Sequence, residues 1–341
     1  MTTLNTVLYD SAIELGLDME RVSAASRYEI IQMIKKLEKE LIAQVASGVT
    51  DWNKARIAKQ LSEATRIIQQ YYDEMAGVMV NTTTSVAQVS ATSTAQALGV
   101  ATGNYIPTVL PSATWLESIA SNAIVQGAPQ AAWWNRQSAD TAWRFSTAVR
   151  QGLVAAETNQ QIIKRVMAVM DVSRRNAAAL VQTSVQSVSA QAKDKTRQAN
   201  DHLIASVEWV SSLDSIVCIK CAVRDGKRWK LDGTPIGHSI PYQLPPIHFN
   251  DRCTTVDITK TWKELGIDIE EAPPGTRASM EGQVSDKTFE DFLARKGKDY
   301  QDEVLGKGRA ELYRSGKITF NQLLNQDGNM LTLKQLEAKY L

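Results

Sequence analysis

The chain has 341 residues, 43% of them apolar and 22% charged, with a formal net charge of +1. That balance belongs to folded globular proteins and excludes a disordered or fibrous chain. The near-zero charge excludes whole-molecule attraction to nucleic acid or an anionic membrane, so any polyanion contact must come from a local patch.

From Ile30 the apolar positions Ile30, Ile31, Ile34, Leu37, Leu41 and Val45 recur at three- and four-residue steps and predict a helix. Gly48 interrupts it, and Thr50 or Asp51 can cap a second helix with the stripe Ile57, Leu61, Ala64, Ile68, Tyr71, Met75 and Val78. Two such helices on a short link predict an antiparallel hairpin. Residues 81 to 110 are rich in Thr, Ser, Ala and Val, carry almost no charge, and fit either a close-packed helix or a loop. A helix is expected over Thr114 to Val125, then a break at Gly127-Ala128-Pro129, with Trp133, Trp134 and Trp143 as core anchors beyond it.

A helix beginning near Thr158 should turn Ile162, Ile163, Val166, Val169 and Met170 inward. A second should run from about Arg174 to Asn200 with Ala178, Val181, Val185, Val188 and Ala192 on one face. The Gln, Ser, Lys and Arg on its other side read as solvated surface or as a pairing face for a partner.

At residue 201 the apolar period shortens to two. Leu203, Ala205, Val207 and Trp209 alternate with Ile204, Ser206, Glu208 and Val210, which predicts a half-buried strand. Asp225-Gly226 and Asp232-Gly233 are turn signals, because glycine takes positive φ without steric cost. Pro245-Pro246 forces an extended approach to His248. Residues 203 to 260 thus read as a small β-rich module. Pro273-Pro274-Gly275 is the expected linker, and Ser285 the expected cap of a helix that buries Phe289, Phe292 and Leu293. The fold class is mainly α: a helical arm (1–110), a second helical part (111–202), an inserted β-rich zinc-knuckle module (203–262), and a linker with a short helical tail (263–341).

All three cysteines fall between 218 and 253, at ligand spacing. Cys218 and Cys221 form C-x2-C, and His248 with Cys253 forms H-x4-C. Thiolates and imidazole brought together from two loops are the Cys3His set of a structural zinc site. A module this small also lacks the core to fold without a staple. His238 competes for the fourth position from what reads as an exposed loop, so His248 is preferred. Ala222 follows the second cysteine, where a knuckle turn often has glycine. Four protein ligands leave no open position, which points to structure and away from catalysis.

No phosphate loop, H-E-x-x-H or nucleophile elbow occurs, and three histidines are few for a metal nuclease. No enzymatic activity is expected. Lys220, Arg224, Lys227, Arg228 and Lys230 form a basic run that could touch DNA. No stretch reaches the roughly 20 apolar residues of a membrane span, and the first residues lack a secretory signal, so a reducing cytoplasmic setting is expected.

Several pieces in order resemble the head-morphogenesis domain of phage minor head proteins, the family that includes the F protein of phage Mu. They are Leu180-Val181-Gln182-Thr183-Ser184, the run from Val207 to Asp214, Cys218-x-x-Cys221, Asp225-Gly226-Lys227, Pro245-Pro246-Ile247-His248 and Asp251-Arg252-Cys253. Leu305-Gly306 with Arg309, Leu312, Ser315-Gly316-Lys317 and Leu331-Thr332-Leu333 resemble the tail that follows this domain, so the likeness spans roughly 150 to 341. Two departures stand out. The family's Arg-Thr-Glu is here Gln182-Thr183-Ser184, and its Cys-Arg-Cys is here Asp251-Arg252-Cys253.

The resemblance implies a virion protein present in few copies inside the head, made in the host cytoplasm and associated with the portal vertex. It implies the portal protein and the major capsid or scaffolding protein as partners, with a role in assembly or in DNA entry and exit. Residues 81 to 110 and the weaker face of 178 to 199 are the expected contact surfaces. Some relatives carry ADP-ribosyltransferase-like or other toxin-like domains; the adjacent glutamates Glu270-Glu271 are better explained as a solvated loop. The third reading is a zinc-dependent nucleic-acid binder.

Overall fold

A computed structural model describes residues 4–47, 54–268, 277–279, 282–284 and 288–340. The expected caps Thr50 and Asp51, the Glu270-Glu271 pair, the Pro273-Pro274-Gly275 linker and the Ser285 cap lie outside those residues.

Two long helices, α1 (Leu4–Ser47) and α2 (Lys54–Ala101), run antiparallel. Met19 lies against Ser90, while Leu8 and Ala12 share a cluster with Ala97, Leu98 and Ala101. The buried stripe of α2 is Leu61, Ala64, Ile68, Tyr72, Met75 and Met79, and Tyr71 and Val78 are only partly buried. Ile57, the first expected position, is also only partly buried. Leu61, Ala64, Ile68 and Met75 are buried as expected, and the stripe slips by one residue at Tyr71 and Val78, because 3.6 residues per turn does not sustain whole-number steps.

Residues 81 to 101 continue α2 as helix, and the chain leaves it at Gly103 and Asn104, both at positive φ. Small side chains let this half sit close to α5 (Asn159–Ala199), where the Ser90 hydroxyl donates to Ser189 at 2.8 Å.

Next come α3 (Ala113–Asn122), capped by Ser112, and a hairpin of β1 (Ile124–Val125) and β2 (Ala128–Pro129). Its two turn residues, Gln126 and Gly127, both take positive φ, which a two-residue hairpin of this hand requires. In α4 (Gln130–Val154) Trp134 is buried against Tyr72, whose hydroxyl shares a hydrogen-bond chain with Thr141 and Ser173. Trp133 is half-buried, and Trp143 is 65% exposed and anchors no core.

One helix, α5, occupies the span where two were expected. Thr158 and Gln161 form a reciprocal capping box at its start, and no Gly or Pro interrupts it up to Ala199. The side expected to be solvated is interior: every residue from Leu180 to Ser189 is buried. Helices α1 and α2 cover one side of α5 and the β-module covers another, so its polar residues find partners inside. Gln182 and Gln186 both donate to Glu20, at 2.7 and 3.1 Å. Lys193 donates to the Thr254 hydroxyl at 2.7 Å and the Thr255 carbonyl at 2.8 Å, and buried Arg197 pairs with Asp257. The 178–199 face is therefore no free contact surface.

The antiparallel sheet runs β5-β4-β3-β6, from β3 (Ile204–Val210), β4 (Arg228–Trp229), β5 (Pro235–Ile236) and β6 (Thr254–Thr259), with α6 (Ile219–Arg224) in the first connection. β3 is buried on both faces save Ala205, between the bundle and a second core.

That core includes the tail. Strands β7 (Arg277–Ser279) and β8 (Gly282–Val284) form a separate ribbon, followed by α7 (Phe289–Ala294), α8 (Lys298–Leu305), α9 (Lys307–Arg314) and α10 (Leu333–Tyr340). Phe289, Phe292, Leu305, Phe320, Leu323 and Leu336 pack in one cluster with Trp209 and Trp229. Asp225 clamps the junction, accepting the Ser211 N–H at 2.6 Å and the Phe289 N–H at 2.5 Å. The β-module solves its small-core problem partly by folding with the tail as one unit.

Candidate metal centre

Cys218 caps α6. Its backbone is extended (φ −77°, ψ 152°), and its sulfur accepts the Cys221 N–H at 3.4 Å. One helical turn brings the Cys221 sulfur within 3.2 Å of the first. Ala222 causes no strain, because it sits inside α6 and no positive φ is needed there.

His248 approaches from the segment after the cis Pro245–Pro246 bond. Its Nδ1 lies 2.8 Å from the Phe249 carbonyl, which can only accept, so Nδ1 carries the proton and Nε2 of a neutral ring keeps its lone pair. Nε2 stands 3.1 Å from the Cys218 sulfur and 3.4 Å from that of Cys221. Around tetrahedral zinc such donor pairs lie roughly 3.5–3.8 Å apart, so a small expansion of this triangle admits the ion.

Cys253 enters from the start of β6 and is buried. Two triangles of donors share Cys221: Cys218, Cys221 and His248 lie within 4.8 Å of one another, and so do Cys221, Asp251 and Cys253. Asp251 is not among the donors that the sequence spacing marks. A cavity of about 20 Å³ opens at the cluster, room for an ion or one water. Three thiols, an imidazole and a carboxylate in one buried cluster can hold a metal ion.

The groups perturb one another strongly. The Cys218 thiol is held down at about 5, first by the hydrogen bond from Cys221 and then by His248. Its contact with Cys218 pushes His248 up to about 9. Cys221 is pushed up by its hydrogen bonds to Cys218 and Cys253, and burial raises Cys253 to about 11. Arg224 is fully buried nearby and has no carboxylate partner among the described residues. It donates to the Lys220 carbonyl at 2.9 Å and to Gln243 at 3.1 Å, and its charge faces Cys221, Cys218 and Asp251.

The basic run does not form one patch. Arg224 is interior, Lys220 is bonded to Asn329 and Lys227 to Asn321, Arg228 is paired with Glu208, and Lys230 is exposed. With Arg224 interior and Arg228 paired, the five do not act together as the expected DNA-contacting run. His238 is also away from the cluster. It packs edge-on to Trp229, lies 2.9 Å from the Arg228 carbonyl and accepts the Ile240 N–H.

No helix among the described residues is long and apolar enough to cross a membrane. No curated protein and no solved structure matches the chain significantly. Residues 144–256, from within α4 to the middle of β6, match the family model described as Phage Mu protein F like protein. Over that third of the chain, which holds α5, β3 to β5, the start of β6 and the whole Cys/His cluster, the sequence is similar to the phage Mu F-like family.

Proposed function

We propose that the chain is a minor head protein acting in procapsid assembly and head morphogenesis, located inside the phage head. The match over residues 144–256 carries this reading. Its partners are the portal protein and the major capsid or scaffolding protein. The contact surface is the outer face of α2, where Asn81, Ser85, Gln88, Val89, Thr92, Gln96 and Val100 are exposed. No charged residue occurs between Glu74 and Glu117, so that face can be buried against another protein without desolvating a charge.

The Cys/His cluster holds a structural zinc ion through Cys218, Cys221 and His248, with Cys253 or Asp251 as fourth donor. Bound there, the ion would supply cross-linking of α6 to the His248 loop, and its binding energy would be folding energy for the module. We propose no catalytic role, since an ion held by four protein donors would keep no open position for water or substrate. Labelled NAD, and plasmid DNA with divalent metal, should survive incubation with the protein.

The test of function is co-expression with the portal and major capsid proteins, followed by purification of assembled particles. The chain should co-purify with them at low copy number. Particles that form normally and exclude it overturn the reading.

A further inference from the structure

We infer that the Asp251 carboxylate is the fourth donor of this centre and that Cys253 stays a buried thiol behind it; the inference rests on Cys218, Cys221 and His248 holding the ion. Oδ1 of Asp251 lies 3.6 Å from the Cys221 sulfur. A carboxylate oxygen and a thiolate sulfur on one tetrahedral zinc are separated by roughly 3.5 Å. The loop fixes the carboxylate there from both ends: Oδ1 accepts the Cys253 N–H at 2.9 Å and Oδ2 accepts the Ile247 N–H at 2.8 Å. Each oxygen retains acceptor capacity after those bonds.

Asp251 is 2% exposed, and no ion pair reaches it among the described residues. Once Cys221 ionised, its thiolate and the buried carboxylate would repel, and a divalent cation between them would remove that repulsion. Arg224 does not do so directly, because its hydrogen bonds go to Lys220, Gln243 and Gly328.

Cys253 shares the triangle with Cys221 and Asp251, but its sulfur has a further partner of its own. Its sulfur points toward the Ser211 hydroxyl at 3.7 Å, a group that also accepts from the Trp209 indole and donates to the Cys221 carbonyl. That is a satisfied site for a small neutral thiol. Two thiolates and one carboxylate are balanced by a divalent ion and the Arg224 guanidinium, whereas a third thiolate adds a buried negative charge with no partner.

The experiment uses the full chain loaded with cobalt(II), whose thiolate charge-transfer absorption counts sulfur donors, and with cadmium-113, whose NMR shift counts them independently in the unsubstituted protein. Two sulfur donors are expected from both. Cys253→Ser should keep the cobalt intensity and one ion per chain, Asp251→Asn should weaken cobalt binding at least tenfold, and Asp251→Cys should retain the ion and add a third sulfur donor. Three sulfur donors in the unsubstituted protein, or loss of a third of the intensity in Cys253→Ser, overturns the assignment of Asp251 while leaving the metal centre standing. An unsubstituted protein that takes up neither cobalt nor zinc overturns the centre itself. Because the cadmium measurement needs no variant, a misfolded Asp251→Asn does not decide the outcome.

Discussion

The backbone N–H of Asn250 donates to the Thr183 hydroxyl across 3.1 Å, so the middle of α5 holds the loop that carries His248 and Cys253. Thr183 in turn donates to the Ala179 carbonyl at 2.7 Å, which fixes its rotamer and turns its lone pairs toward the loop. Asn250 is at φ 60°, a left-handed conformation that asparagine tolerates, and the bond secures it. The middle of α5 and the loop that carries His248 and Cys253 are thus one mechanical unit.

Thr183→Val keeps the volume and removes the acceptor. Leaving this part-buried N–H without its partner costs at most about 1–3 kcal/mol, and less where water reaches it. The expected result is a lower denaturation midpoint and faster loss of zinc to a chelator, with both restored by Thr183→Ser. Equal stability and equal zinc retention in the valine variant would show that the bond couples nothing.

Zinc should be present at about one ion per chain by elemental analysis, and removing it should act on the module alone. Cys218→Ser or chelation is expected to destabilise residues 203 to 336 by several kcal/mol, since metal binding and folding are linked there. Near-ultraviolet dichroism from the buried Trp209 and Trp229 should collapse while the helical far-ultraviolet signal of the bundle persists. A metal-free protein with an unchanged melting profile would falsify the structural role.

Lys193 supplies a pH dependence. Burial holds its amine down at about 8 in the folded protein, with the neighbouring Arg197 lowering it further and Asp257 opposing. Its other neighbours on β6, Thr254 and Thr255, are uncharged. In the unfolded chain the amine returns to its ordinary value of 10.5. Between those two values the unfolded state binds more protons, so stability rises with pH across that window, by a few kcal/mol at most. Below pH 8 the full cost of the buried ammonium is present. Lys193→Met should flatten the rise, and the difference between the two proteins' denaturation midpoints from pH 7.5 to 10.5 isolates this group from the thiols and His248. Parallel curves for the two proteins overturn the assignment.

What could be read from the sequence follows from how local each signal is. The α1 stripe from Ile30 to Val45 and the strand at β3 depend only on neighbours along the chain. The stripe is buried save for the partly buried Ile31, and the strand is present but buried on both faces, where the alternation points to one. The C-x2-C turn is present as read, closed within one helical turn of α6. The polar side of α5 could not be read, because the groups that satisfy it, Glu20, Ser90, Thr254 and Asp257, come from three other elements. Asp251 as a possible donor was hidden for the same reason. Its proximity to Cys221 depends on the His248–Cys253 loop folding back onto α6, which no spacing rule encodes.

The outer face of α2 gives the sharpest test of assembly. Val89 is 46% and Val100 54% exposed, and they lie on the same uncharged surface. Deleting residues 81 to 110 is a poor probe, because Ala87, Ala91 and Leu98 from the same stretch are buried in the bundle. Val89→Glu with Val100→Glu leaves those residues alone, and substitutions at exposed positions ordinarily change stability by only about 0.5 kcal/mol. The double variant should therefore melt as the parent does. In an apolar interface, however, each new carboxylate must lose its water without gaining a partner, which costs several kcal/mol. Incorporation into particles co-expressed with portal and major capsid proteins is expected to fall at least tenfold. Normal incorporation of a normally folded double variant would mean that the head proteins grip another surface.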